Sequence, residues 1–127
     1  MIRVLICDDA AAFSILAEQW IDSCPDLQVI GIVHSGPELL AVLETTAPHV
    51  IVLDHLLGEI DSAELTPLIR SLQGEVGIVL MSGMLPEVLA DLAARAGTDA
   101  FISKATGPDA FCDTIRHVGN QTNRGQQ

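Results

Sequence analysis

Apolar residues in this chain gather into five short, near-continuous runs: Ile2–Cys7, Leu27–Val33, Val50–Leu53, Val76–Met81 and Ala100–Ile102. A strand covered on one face only would place a polar residue at every second position. Continuous runs rich in Val and Ile are instead what strands covered on both faces require. The runs begin 25, 23, 26 and 24 residues apart, the length of one strand plus a crossover helix. Between them the spacing turns helical. Phe13, Leu16, Trp20 and Ile21 share one face of a first helix, which stops before Pro25. Leu39, Leu40, Val42 and Leu43 fill a second, entered through Ser35-Gly36-Pro37-Glu38 and closed before Pro48. A third covers roughly Ser62–Leu72, with Pro67 inside it as the signal of a kink or a late start. Pro86–Ala96 is expected to end at Gly97, and Pro108–Val118 at Gly119, each glycine acting as a C-cap. Alternating strand and helix predicts an α/β fold, a five-stranded parallel sheet with right-handed crossovers and helices on both faces. The domain is expected over residues 1–119, with 120–127 as a disordered tail or linker stub.

Composition narrows the function classes. The 127 residues suffice for one core. No apolar run reaches the ~20 residues of a membrane span, and no export signal is visible, so a cytoplasmic protein with no membrane contact is expected. Cys7, Cys24 and Cys112 follow no pairing motif and read as reduced core thiols. A net charge of −11 argues against this chain gripping nucleic acid itself. Of six basic residues only Lys104 is a lysine.

In parallel sheets ligands collect at the carboxyl ends of the strands, near the point where strand order reverses. The first run is followed there by Asp8 and Asp9, the third by Asp54, the fourth by Ser82 and the fifth by Lys104. Three acids, a hydroxyl and the one lysine at a single rim form a constellation. Converging carboxylates raise one another's pKa unless a cation relieves them, and Mg²⁺ suits one or two carboxylates plus waters and phosphate oxygens. An Asp carboxylate can also attack phosphorus to form an acyl phosphate, a transfer that needs positioning and charge neutralisation above all. Each residue has a plainer reading when taken alone. Asp8 and Asp9 would be helix caps, Asp54 and Ser82 turn residues, Lys104 a solvated loop lysine, and Phe101 a partly buried core aromatic. His55 could pair with Asp54 on a transition metal, but no second histidine falls at a suitable spacing. His34, His49 and His117 read as surface or loop residues.

The residues "DD" after the first strand, Asp54 after the third, "MSG" after the fourth and "FISK" after the fifth resemble a response-regulator receiver domain of bacterial two-component signalling. The resemblance covers residues 2–119. It implies a (βα)5 flavodoxin-like sheet of strand order 2-1-3-4-5. It implies that Asp54 accepts phosphate from a histidine kinase or phosphotransfer protein, as a phosphoacceptor and not a turnover enzyme. Mg²⁺ would be held by Asp8, Asp9, Asp54 and the backbone carbonyl of Leu56, with Lys104 and Ser82 contacting the phosphoryl group. Ser82 and Phe101 would move together as the switch, while Leu56 and Met84 would flank the modified carboxylate at its rim. Two departures from the family pattern stand out. Gly58 and Ser62 occupy places where the family often has Pro and Gly, and Ala105 follows the lysine where Pro commonly supports a cis peptide. The loops there are expected to differ or to be strained.

Rival functions fit less well. A haloacid-dehalogenase-type phosphatase wants Asp-x-Asp after the first strand, which "DDAA" does not supply. A flavin or nucleotide carrier would need a Gly- or Ser/Thr-rich phosphate loop where two acids stand. A pseudo-receiver used only for docking stays open, as does the excised receiver of a DNA-binding transcriptional regulator. The stretch "DLQVIGIVHSGPELL" resembles receivers that precede a LuxR-type helix-turn-helix. An output domain or a homodimer is the expected recipient of the signal.

Overall fold

The computed structural model describes residues 1–58 and 60–122. Among these residues seven strands and five helices follow in order: β1 (Ile2–Cys7), α1 (Ala11–Asp22), β2 (Leu27–Val33), α2 (Gly36–Val42), β3 (Val50–Asp54), β4 (Leu56–Leu57), β5 (Ile60–Asp61), α3 (Ser62–Leu72), β6 (Gly77–Ser82), α4 (Pro86–Ala96), β7 (Ala100–Ser103) and α5 (Pro108–Thr122). Five of the strands form one parallel sheet of order β2-β1-β3-β6-β7. This is the flavodoxin-like 2-1-3-4-5 order expected from the sequence. Among the described residues no helix is long and apolar enough to cross a membrane.

The continuous apolar runs are explained by what covers them. Successive strand side chains point to opposite faces, so Val4, Ile6, Val50 and Val52 pack under α1 and α5 with Ile21, Phe111 and Ile115. The intervening Leu5, Cys7, Ile51 and Leu53 pack under α2 and α3 with Leu39, Leu65 and Ile69. Each such fully buried aliphatic side chain contributes roughly 1.5–3 kcal/mol relative to exposure. Along β3 no polar residue stands on either face before Asp54.

Several expectations need correction. Leu16 does not join the apolar face of α1; it is exposed beside Ile15, and Ser14, Ala17 and Ile21 form the buried stripe. Pro67 neither delays nor ends α3, which starts at Ser62 with Asp61 as a side-chain N-cap. His49 is buried, its Nδ1 accepting from the Arg3 amide at 2.9 Å. Phe101 is 41% exposed and not core. Helix α5 runs through Gly119 to Thr122. A Cβ at position 119 would stand 2.7 Å from Ile2 Cγ2, so this glycine admits close packing of α5 on β1 and caps nothing. Residues 120–122, expected in the tail, belong to α5, and residues 123–127 lie outside those described.

Candidate functional site

The carboxyl ends of β1 and β3 lie side by side where the strand order reverses, with Cys7 beside Leu53. Asp8 follows β1 directly, and Asp54 is the last residue of β3. Asp8 is fully buried. Its Oδ1 accepts from the Ala10 amide at 2.8 Å, while its backbone carbonyl lies 3.0 Å from His34 Nδ1. The N-cap of α1 is Ala10, which makes no side-chain bond. Neither aspartate caps the helix, so that simple explanation for the acid pair fails.

One carboxylate oxygen from each of Asp8, Asp9 and Asp54 falls within 4.8 Å of the others, with Asp9 exposed and the other two buried. Lys104 Nζ stands 3.0 Å from Asp8 Oδ2 and 3.5 Å from Asp54 Oδ2. Its approach to Asp8 is an ion pair without a directed hydrogen bond, since Oδ2 is buried and has no hydrogen-bond partner. The ammonium also sits 5.1 Å from the centroid of the Phe13 ring, a cation–π contact. Burial pushes the Asp54 carboxyl up from 3.8 to about 6; the Asp8 charge adds to this, and Lys104 opposes it. Three hard oxygen donors, one of them buried and unsatisfied and another on a carboxylate reluctant to ionise, form a set that a small divalent cation satisfies.

The next two strands complete the rim. Asp54 pairs in register with Met81, which puts Ser82, the last residue of β6, beside the acid. Ser82 is buried and its Oγ accepts from the amide of the half-buried Met84 at 3.2 Å. Lys104 is held by its own backbone amide, which donates to the Ser82 carbonyl at 2.9 Å. Ala105 follows in a trans peptide, no cis bond occurring among the described residues, and its amide donates to Ser103 Oγ at 3.2 Å. Phe101 lies on β7 opposite Leu80 and is exposed.

The loop after Asp54 is where the chain departs most from expectation. β4 and β5 form a two-stranded antiparallel ribbon, Leu56 opposite Asp61 and Leu57 opposite Ile60. Gly58 has φ 70°, a left-handed conformation that proline, fixed near −65°, cannot adopt. The Ser62 amide donates to the His55 carbonyl at 3.0 Å. By the alternation of an antiparallel ladder, Leu56 then falls in a non-hydrogen-bonded pair, its carbonyl turned out of the ribbon. The Leu56 side chain is 53% exposed. Below it, the buried His55 Nδ1 and Ser62 Oγ are 2.7 Å apart. Phe13 and the His55–Ser62 pair are the neighbours that sequence reasoning missed. Only the odd Ser62 hinted at the second, and nothing in the spacing pointed to the first.

A family model described as response regulator receiver domain matches residues 4–116. Response regulator protein VraR of Staphylococcus aureus is 26% identical over 125 residues, covering 98% of this chain and 58% of its own length. The chain thus spans a little over half of the curated relatives it matches. A two-component response regulator of the LuxR family from Aurantimonas superposes with a TM-score of 0.86 at 21% identity, over 94% of this chain and 85% of that one. The response regulator domain of Thermotoga maritima CheB gives 0.82 at 27% identity, over 94% and 97%.

Proposed function

The chain belongs to the response regulator receiver domain family, and on that premise we propose that Asp54 accepts a phosphoryl group from a histidine kinase or phosphotransfer protein. The observation that carries this reading is the Asp54 carboxylate at the end of the central strand, flanked by two further acids and by Lys104 at 3.5 Å. Asp8, Asp9 and Asp54, with the Leu56 carbonyl, would hold Mg²⁺. Bound there, the ion would neutralise charge on the attacking carboxylate and on the phosphoryl oxygens. Asp54 supplies the nucleophilic oxygen, and β3 fixes its position. Lys104 is tethered to Ser82 through the backbone and balanced between two carboxylates, so it shifts toward a phosphoryl group carrying ~−1.5 to −2 charges. Ser82 Oγ donates to a phosphoryl oxygen in exchange for its contact with the Met84 amide, and Phe101 follows as the exposed reporter on β7.

The domain is read as a phosphoacceptor within a cytoplasmic phosphorelay, passing its state to an output domain or a second copy through protein contacts. Purified protein with a small acyl-phosphate donor and Mg²⁺ is expected to acquire a hydroxylamine-labile label that Asp54→Asn abolishes. Labelling that persists in the variant rejects Asp54. The apolar Leu56 and Met84 offer no hydrogen bond to an attacking water and shield the acyl phosphate. Leu56→Asn with Met84→Glu is therefore expected to shorten the lifetime of the phosphorylated form; equal decay rates would remove both from this role.

A further inference from the structure

Outside the acidic rim, two thiols far apart in the chain meet at one atom. Cys24 Sγ lies 3.7 Å and Cys112 Sγ 3.5 Å from the Trp20 carbonyl oxygen, to which Ser23 Oγ also donates at 2.7 Å. That carbonyl belongs to the last turn of α1, where helical partners run out, so it gathers donors from the following loop and from α5. The approach is enforced by an ion pair one turn further along. Arg116 forks onto Asp26, Nε to Oδ2 at 2.5 Å and Nη2 to Oδ1 at 3.1 Å, with Asp113 on Nη1 at 2.7 Å. A bidentate guanidinium–carboxylate pair fixes both distance and angle, and here it clasps the loop after α1 to the face of α5 that carries Cys112.

A cavity of about 280 Å³ opens to solvent between these segments, lined among others by Trp20, Cys24, Pro108, Cys112 and Arg116. The two thiols differ in their surroundings. Cys24 is half-buried on the cavity wall, within the field of the Arg116 guanidinium. Cys112 is buried, and burial pushes its thiol up to about 12, with the Cys24 thiol adding to the rise. An accessible sulfur near a cation beside a sheltered partner is the arrangement in which the first is oxidised and the second resolves it.

We propose that Cys24 and Cys112 form a reversible dithiol–disulfide pair that small hydroperoxides oxidise, joining the end of α1 to α5. In the first step the Cys24 sulfur attacks the terminal peroxide oxygen. The O–O bond breaks, the peroxide leaves as alcohol or water, and Cys24 becomes a sulfenic acid. In the second, the Cys112 sulfur attacks the Cys24 sulfur, the S–O bond breaks, and the Cys112 proton leaves with the hydroxyl as water. Two thiols are oxidised and one hydroperoxide is reduced. Closing the bond requires rotation of two side chains already held on one acceptor. Cys7, buried on the other face of the sheet with its own acceptor at Ser35, takes no part.

The test treats the purified chain with hydrogen peroxide, alkylates the remaining thiols under denaturing conditions and reads the mass. The expected result is one alkylated thiol, Cys7, loss of two hydrogens, and a proteolytic fragment joining Cys24 to Cys112 that dithiothreitol separates. Cys112→Ser should instead accumulate a dimedone-reactive sulfenic acid on Cys24, and Cys24→Ser should leave Cys112 unoxidised. Cys112→Ala repeats the first arm if circular dichroism shows the serine variant unfolded. Emission from the adjacent Trp20 should fall on oxidation in the parent chain and in neither single variant. Three alkylatable thiols after treatment, a disulfide that includes Cys7, or a sulfinic acid on Cys24 with Cys112 free would each overturn the proposal.

Discussion

Asp54 carries a standing cost at neutral pH, because the rim that makes it useful also makes it reluctant to ionise. Its rise from 3.8 to about 6 corresponds to about 3 kcal/mol at 1.36 kcal/mol per pH unit. The sign follows from proton uptake. Between pH 4 and 6 the folded chain holds a proton at Asp54 that the unfolded chain has lost, so this group's contribution to stability falls as pH rises through that window. Above 6 the penalty is complete. Metal-free Asp54→Asn is therefore expected to be more stable than the parent at pH 7.5 and to lose that advantage as the pH falls to about 4, measured by urea denaturation across the range. A constant difference would mean that Asp54 titrates normally. Residues of this kind were legible in the sequence because their position is set by strand ends. An acid after a buried apolar run has nowhere to go but the carboxyl rim, and strand order then brings Asp8 and Asp54 together. Phe13 was not legible, since its place under Lys104 depends on how α1 lies across the sheet.

At the scale of elements, the β4–β5 ribbon shows how a short segment can adopt its own solution within a shared fold. Gly58 supplies the turn, and the buried His55–Ser62 pair closes the base where the ribbon meets α3. Ser62→Ala would leave His55 Nδ1 buried without that partner, a loss of about 1–3 kcal/mol. The same change loosens the segment carrying the Leu56 carbonyl, so weaker Mg²⁺ binding should accompany the lost stability. Denaturation and a Mg²⁺ titration followed by amide chemical shifts check both, and a variant unchanged in each would make the pair incidental. The long elements were predicted because their apolar periods are long enough to average over exceptions. Two-residue strands leave no period to read. The end of α5 was misread for a related reason: glycine stops a helix by conformation or admits a close neighbour by size, and only the Ile2 contact distinguishes these.

Across the whole molecule, three of the four aromatic residues, Phe13, Trp20 and Phe111, form a path rather than a scattered set. Lys104 lies over Phe13, Phe13 meets Trp20 edge-on at 6.1 Å, and Trp20 meets Phe111 at 5.4 Å. The path runs from the acidic rim along α1 to α5, beneath which one of the two main cores is packed. Lys104 has two partners in the resting state, a carboxylate pair and an aromatic face. A phosphoryl mimic beside Asp54 outbids the second, because a charge-assisted contact to an anion exceeds a half-exposed cation–π contact of ~0.5–1 kcal/mol. Released from Lys104, Phe13 is free to repack against Trp20, and the single tryptophan then reports an event at the far end of its own helix. Adding beryllium fluoride with Mg²⁺ is expected to change Trp20 emission in the parent chain. Phe13→Leu keeps the volume roughly constant but removes the ring under the ammonium, and should abolish most of that change while leaving fluoroberyllate binding measurable by fluorine resonance. Lys104→Ala should also abolish it, for want of the moving charge. An emission change of equal size in all three proteins would assign the signal to some other route and leave the aromatic path as packing alone.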